Sequence, residues 1–227
     1  LTMGTGLDLV LGDAGTIILT NGVVSHAEST SQITGMDTIA VGEGDNMVLA
    51  GQGDDTITSG SGNDIMLLDN GEIDLVDGIL THAESTDALG GTDTVTILGG
   101  DNVVLAGAGA DEVTSTDGSD TILGDNGIVN WDTAGVMTDL TAEDDINGDD
   151  DILHAGDGDN VVVGGVGNDD LTMGTGLDLV LGDAGTIILT NGIVSHAEST
   201  SDHAGNDNIQ VGNGDNLVLA GSGSDII

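Results

Sequence analysis

The chain has 227 residues, 41 of them Asp or Glu and none Lys or Arg, for a formal net charge of −41. A polypeptide this one-sided repels itself unless cations are bound to it. It offers no basic patch to nucleic acid and none to an anionic membrane surface, so both are poor partners and metal cations are good ones.

Hydrophobic residues nevertheless make up 37% of the chain and the mean hydropathy is +0.13, which sets it apart from a disordered acidic tail. The apolar supply is aliphatic, with Trp131 the single Trp and no Phe or Tyr, and suits a narrow interior one side chain deep. Cysteine and proline are absent, so disulfides are not the staple. No apolar run approaches the ~20 residues that a spanning helix needs, and no membrane insertion is expected.

In chain order, the organisation is a repeat within a repeat. Leu1–Gly22 recurs identically as Leu171–Gly192, an offset of 170. Within it, the motif Gly-Asp-Ala/Asn-Gly places Asp13, Asp69, Asp125 and Asp183 at steps of 56, 56 and 58, with Leu68 replacing the first glycine of the second copy. Each motif leads into a predicted β-hairpin. In the first, Asn21-Gly22 lies between the β-branched runs of 16–30, a strong hairpin signal. The second uses Asp77-Gly78, the third Ala134-Gly135 with Trp131 in the strand before it, and the fourth Asn191-Gly192.

Between the hairpins run nonapeptides in register: VGEGDNMVL, AGQGDDTIT and SGSGNDIML over 41–67, with matching trios over 97–123 and 155–181. No segment carries the period or caps of a helix. The expectation is an all-β chain forming one continuous array over 1–227, divided roughly into 1–11, 12–67, 68–123, 124–181 and 182–227. It reads as an excerpt of a longer chain.

The nonapeptide pattern x-G-x-G-x-D-x-U-x, with U aliphatic, resembles the RTX (repeats-in-toxin) nonapeptide. The resemblance covers most of the chain outside the hairpins. It implies a calcium-stabilised parallel β-roll, a flattened β-solenoid, here interrupted by regularly spaced β-hairpins. Each nonapeptide would be a turn plus a short strand, with Ca²⁺ between stacked turns on the same side. Independently of the family, glycines let carbonyls crowd an ion, and carboxylates mixed with carbonyls meet the 6–8 oxygen ligands that calcium takes. The U residues Val48, Ile57, Met66, Val104, Val113, Ile122, Val162, Leu171 and Val180 should face the core, and their neighbours should face out.

By the same resemblance, the metal-ligating position falls on Asp8, Asp37, Asp55, Asp64, Asp93, Asp111, Asp120, Asp169, Asp178, Asp207 and Asp225. The first full turn of every unit departs from the family with Asn46, Asn102, Asn160 and Asn216, preceded by Asp45, Asp101, Asp159 and Asp215. A weaker or differently built metal site is expected there. Asp13, Asp69, Asp125 and Asp183 are either turn residues entering the hairpins or further ligands. In the recurring His-Ala-Glu-Ser motif, His26/Glu28, His82/Glu84 and His196/Glu198 share a strand face, so the glutamates either ligate zinc or calcium or merely close a strand end. His154 and His203 should be surface residues.

Identical residues spread along an array argue against the single distinct constellation that an enzyme needs, and no catalytic residues are expected. The functional expectation is a calcium-binding extracellular structural protein, secreted or at a bacterial cell surface: a filament, stalk, surface layer or adhesin shaft that rigidifies on binding Ca²⁺. The hairpin edges would support self-association into a fibre or layer. The alternatives are a calcium-dependent adhesin or ligand-binding module, or the secretion and folding tail of a toxin or enzyme.

Overall fold

The computed structural model describes residues 1–86, 90–143, 148–203 and 205–227, and these form three stacked sheets. The first is parallel, in the order Leu9–Leu11, Met47–Leu49, Ile65–Leu67, Val103–Leu105, Thr121–Leu123, Val161–Gly165, Leu179–Asp183 and Leu217–Leu219. The second, also parallel, runs Thr38–Ala40, Thr56–Ser61, Thr94–Gly99, Glu112–Ser115, Ile152–Ala155, Asp170–Met173 and Asn208–Gln210. The chain alternates between them, so each coil of the roll gives one strand to each sheet.

Register shows how the repeats stack. Val48 pairs with Met66, two nonapeptides further on, whereas Met66 pairs with Val104, more than twice as far along the chain. The longer coil contains a hairpin, and its excess over two nonapeptides is that hairpin. Each repeating unit is therefore one plain coil plus one hairpin coil. The third unit is slightly longer because its hairpin coil is, as the pairing of Ile122 with Val162 shows.

All nine U residues have 0% exposure. With Val10, Ile39, Val95, Leu153 and Ile209 they form a core one side chain deep between the two parallel sheets.

The hairpins build the third sheet. Gly15–Thr20, Val23–Ser29, Gly71–Val76, Ile79–Ser85, Gly127–Trp131, Met137–Ala142, Gly185–Thr190 and Ile193–Ser199 pair in that order, antiparallel throughout. A unit contains two coils and one hairpin of two strands. Strands sit ~4.8 Å apart within any sheet, so the hairpins advance at the same pitch as the roll and meet one another edge to edge.

Two expectations change as a result. The inner hairpin edges are consumed inside the chain, as where Val23–Ser29 pairs with Gly71–Val76, and are not available for association. The residues flanking U point out only on the second sheet, at exposed positions such as Thr56, Thr94 and Thr96. On the first sheet they are covered by the hairpins: Leu49, Leu67, Leu105, Leu123, Val163 and Leu181 pack against Ala27, Ile73, Ala83, Val129, Leu140 and Ile187 in a second core.

Asn21, Asp77 and Asn191 adopt positive φ (55°, 52° and 53°) ahead of Gly22, Gly78 and Gly192, as a tight two-residue turn demands. The third hairpin differs: its connection spans 132–136, and Asp132 Oδ1 caps it by accepting the Ala134 and Val136 N–H groups at 2.8 and 3.0 Å. Trp131 packs partly buried at the margin of the second core.

The two cores predict different sensitivities. Leu105→Ala should cost about 2–5 kcal/mol in calcium-saturated denaturation, because Leu105 is fully buried between sheets. Thr96→Ala, on the open face of the second sheet, should stay within about 0.5 kcal/mol. Equal effects would mean that the hairpin layer does not cover the roll in solution.

Candidate metal centre

The roll has two edges. At one, the chain passes from the first sheet to the second, directly or through a hairpin; at the other it returns. Every coil places one Asp or Asn in each turn, two residues before the inward-facing strand residue, and those side chains stack into two ladders.

On the hairpin edge the ladder is aspartate throughout. The backbone N–H of Asp37, Asp55, Asp93, Asp111, Asp151, Asp169 and Asp207 each donates to Oδ1 of the next rung, ending on Asp225, at 2.6–3.1 Å. Asp151 belongs to this ladder, although the nonapeptide pattern does not mark it, because both glycine places of the pattern before it are held by other residues, Asn147 and Asp149. The inward Leu153 two places on is the signal that marks it.

On the plain edge the ladder alternates as Asp8, Asn46, Asp64, Asn102, Asp120, Asn160, Asp178 and Asn216. Its N–H to Oδ1 bonds measure 2.8–3.2 Å.

On the six inner rungs of the hairpin edge, one carboxylate oxygen is thereby satisfied and the other is not. Oδ2 of Asp55, Asp93, Asp111, Asp151, Asp169 and Asp207 is buried without a hydrogen-bond partner. These oxygens face glycine: a β-carbon on Gly124, Gly164 or Gly182 would collide with Oδ2 of Asp151, Asp169 or Asp207. The glycines two places before successive rungs stack just as closely, and a β-carbon on Gly53, Gly91 or Gly109 would strike the carbonyl of Gly35, Gly53 or Gly91.

Burial in this setting pushes the carboxyls up. Asp93 rises to about 9, through burial and then the nearby Asp111 charge; Asp111 and Asp169 rise to about 7, and Asp55 and Asp207 to about 6, burial leading in each. Asp151 is raised well above the usual range by burial, reinforced by Asp111 and Asp125. Buried carboxylates with unpartnered oxygens beside close-packed carbonyls are a donor set of hard oxygens, which fits calcium and neither zinc nor copper.

Asp13, Asp69, Asp125 and Asp183 sit beside the hairpin-edge ladder. Their Oδ2 atoms accept the N–H of Gln52, Ala108, Val166 and Ser222 in the next coil. They pack on Gly51, Gly107, Gly165 and Gly221, all at positive φ. These aspartates stitch a hairpin coil to the plain coil above it.

Asp45, Asp101 and Asp159 are exposed outside the plain edge. They accept the N–H of Asn63, Ser119 and Leu177 at 2.8–2.9 Å, and Asp215 is exposed as well. The Glu28, Glu84 and Glu198 carboxylates lie apart from both ladders, on the outer face of the hairpin sheet. There Glu84 converges with Glu72 and His82, their ligand atoms within 4.8 Å of one another. His82 Nδ1 meets Asn130 Oδ1 at 2.8 Å. Glu28 and Glu198 lie 3.8 and 3.4 Å from His26 and His196. His154 lies half-buried on the second sheet and His203 is exposed.

The model of the RTX calcium-binding nonapeptide repeat matches four times, at residues 33–66, 96–128, 145–180 and 202–227, which together span more than half of the chain. The chain belongs to this RTX family. It accordingly binds Ca²⁺, and its multiple repeats imply multiple ions. No curated protein matches the chain.

The raised aspartates dictate how the calcium-free RTX roll responds to pH. A carboxyl whose folded pKa exceeds its unfolded value of about 3.9 stabilises the fold below that value, and the contribution is lost as pH rises through the folded pKa. In EDTA, β-signal by circular dichroism should therefore be strongest near pH 4 and decline toward pH 9. A calcium-free fold that gains stability across this range would contradict the burial of the ladder. Asp93→Asn should raise calcium-free stability at pH 8 and weaken calcium binding, opposite effects that one titration series can read.

Proposed function

We propose that this chain is a calcium-rigidified structural segment of an extracellular protein, working as a stalk, filament, surface layer or adhesin shaft. The observation that carries this reading is the continuous ladder of aspartates on the hairpin edge, whose six inner rungs from Asp55 to Asp207 are buried, each with an oxygen that no hydrogen bond satisfies. Stacked carboxylates at this spacing oppose folding unless divalent cations lie among them, so folding and metal binding are one equilibrium.

In this reading, the hairpin-edge aspartates from Asp37 to Asp225 hold Ca²⁺ together with turn carbonyls, as do Asp8, Asp64, Asp120 and Asp178 on the plain edge. Bound calcium supplies positive charge and cross-coil coordination. The chain's own contribution is to stack its turns at the pitch that brings carboxylates and carbonyls together.

Calcium at the millimolar level of extracellular fluids suits modules of modest affinity, which supports a secreted or surface location. Near-identical units support a mechanical or spacing role over a single binding site. Calcium should bring a cooperative gain of β-structure near millimolar concentration, followed by far-UV circular dichroism, and magnesium should not, since it dehydrates reluctantly and demands octahedral geometry. A chain fully folded in EDTA at neutral pH would overturn the coupling.

A further inference from the structure

The two edges of the roll handle the same turn geometry with different chemistry. On the plain edge, Asn46, Asn102 and Asn160 are buried, with exposures of 1%, 1% and 0%. Their amide orientation is set by their neighbours. Each Oδ1 accepts the backbone N–H of the preceding rung, from Asp8 at 3.1 Å, Asp64 at 2.9 Å and Asp120 at 3.0 Å. A flipped amide would set its NH₂ against those N–H donors.

The Nδ2 groups therefore face inward along the turn, onto the kinds of oxygen that calcium takes. Asn46 Nδ2 donates to the Gly44 carbonyl at 2.7 Å and to Asp64 Oδ1 at 2.9 Å. Asn102 Nδ2 donates to Gly100 and Asp120 at 2.8 Å each. Asn160 Nδ2 donates to Gly158 and Asp178 at 3.1 Å each. Asn216 Nδ2, on the last rung, donates instead to the carbonyl of Gly212, four residues back, at 3.1 Å.

We propose that these asparagine amides stand in for calcium, so that the asparagine rungs take no ion and on the plain edge calcium enters only at the aspartate rungs. The proposal rests on the calcium reading above and refines which turns carry it out. An NH₂ group supplies two donors to a carbonyl and a carboxylate that would otherwise need a cation, and does so with no charge. Binding calcium there would break both bonds and would bring no carboxylate from the asparagine itself.

The arrangement also divides the charge. The hairpin edge, crowded further by Asp13, Asp69, Asp125 and Asp183, depends on cations at every rung. The plain edge alternates a metal-dependent rung with one that is satisfied by the chain alone. Half of its rungs are then formed before any ion arrives, which gives the folding roll one edge that is partly assembled in the absence of metal.

The test is the number of calcium ions bound at saturation, by equilibrium dialysis with metal analysis, on the full chain and two triple variants. Asn46→Asp/Asn102→Asp/Asn160→Asp should bind about three more ions than the unaltered chain and lose β-signal in EDTA. Asn46→Ala/Asn102→Ala/Asn160→Ala should bind the same number as the unaltered chain, with lower calcium-free stability. An unchanged count in the aspartate variant, or a fall of about three in the alanine variant, overturns the proposal while leaving the calcium reading intact. No calcium binding by the unaltered chain would remove both.

Discussion

Buried aspartates stacked one above another at the pitch of a β-ladder set the terms for the rest of this molecule. Each uses one carboxylate oxygen to tie its coil to the one before, accepting a backbone N–H that would otherwise be orphaned inside a turn. The same stacking brings negative charges together where little water screens them. The bond that holds the coils in register is thus inseparable from the repulsion that opposes it, and a divalent cation resolves both at once. Glycine in the turns follows from this, since only a residue without a β-carbon lets carbonyls and carboxylates approach so closely.

The hairpins answer a second constraint. A roll of two parallel sheets has a core only one side chain deep, and an aliphatic interior of that thickness buries little surface. One hairpin per two coils gives a third sheet of equal pitch, and with it a second core along the whole first sheet. The three-layered stretch therefore draws stability from aliphatic packing as well as from metal. The second sheet keeps an open face, carrying Thr56, Thr94, Thr96 and the carboxylates of Glu112 and Asp170.

The edges differ because the hairpins enter on one of them. The hairpin edge gains an extra aspartate in every unit, from Asp13 to Asp183, where a coil must be stitched past its inserted hairpin. The plain edge has no such need and replaces every second aspartate with asparagine, whose amide bonds to the same turn oxygens. Charge is thus concentrated where the chain makes its longest excursions and diluted where it does not.

The amino-acid sequence determined whatever is local. The aspartate two places before an aliphatic residue marks a turn leading into a strand, Asn-Gly and Asp-Gly demand tight hairpin turns, and an excess of 41 acidic groups without a basic one calls for bound cations. The nonapeptide register and most ladder positions were legible for that reason, and the RTX resemblance was carried by them. Even the second core left a trace, since Met-Val-Leu and Val-Val-Leu strands alternate with Thr-Ile-Thr and Thr-Val-Thr ones. Only the tertiary structure decided what that trace meant. Each hairpin finds its neighbour several nonapeptides further along the chain, as in the pairing of His26 with Asp74 and of Ser29 with Gly71, and nothing within a single nonapeptide encodes that match. The direction of the Asn46 amide, the membership of Asp151 and the outward placement of Asp45 were likewise decided by the coil above or below. A ladder is a contact between turns separated by a whole coil of the roll, and its chemistry exists only once they are stacked.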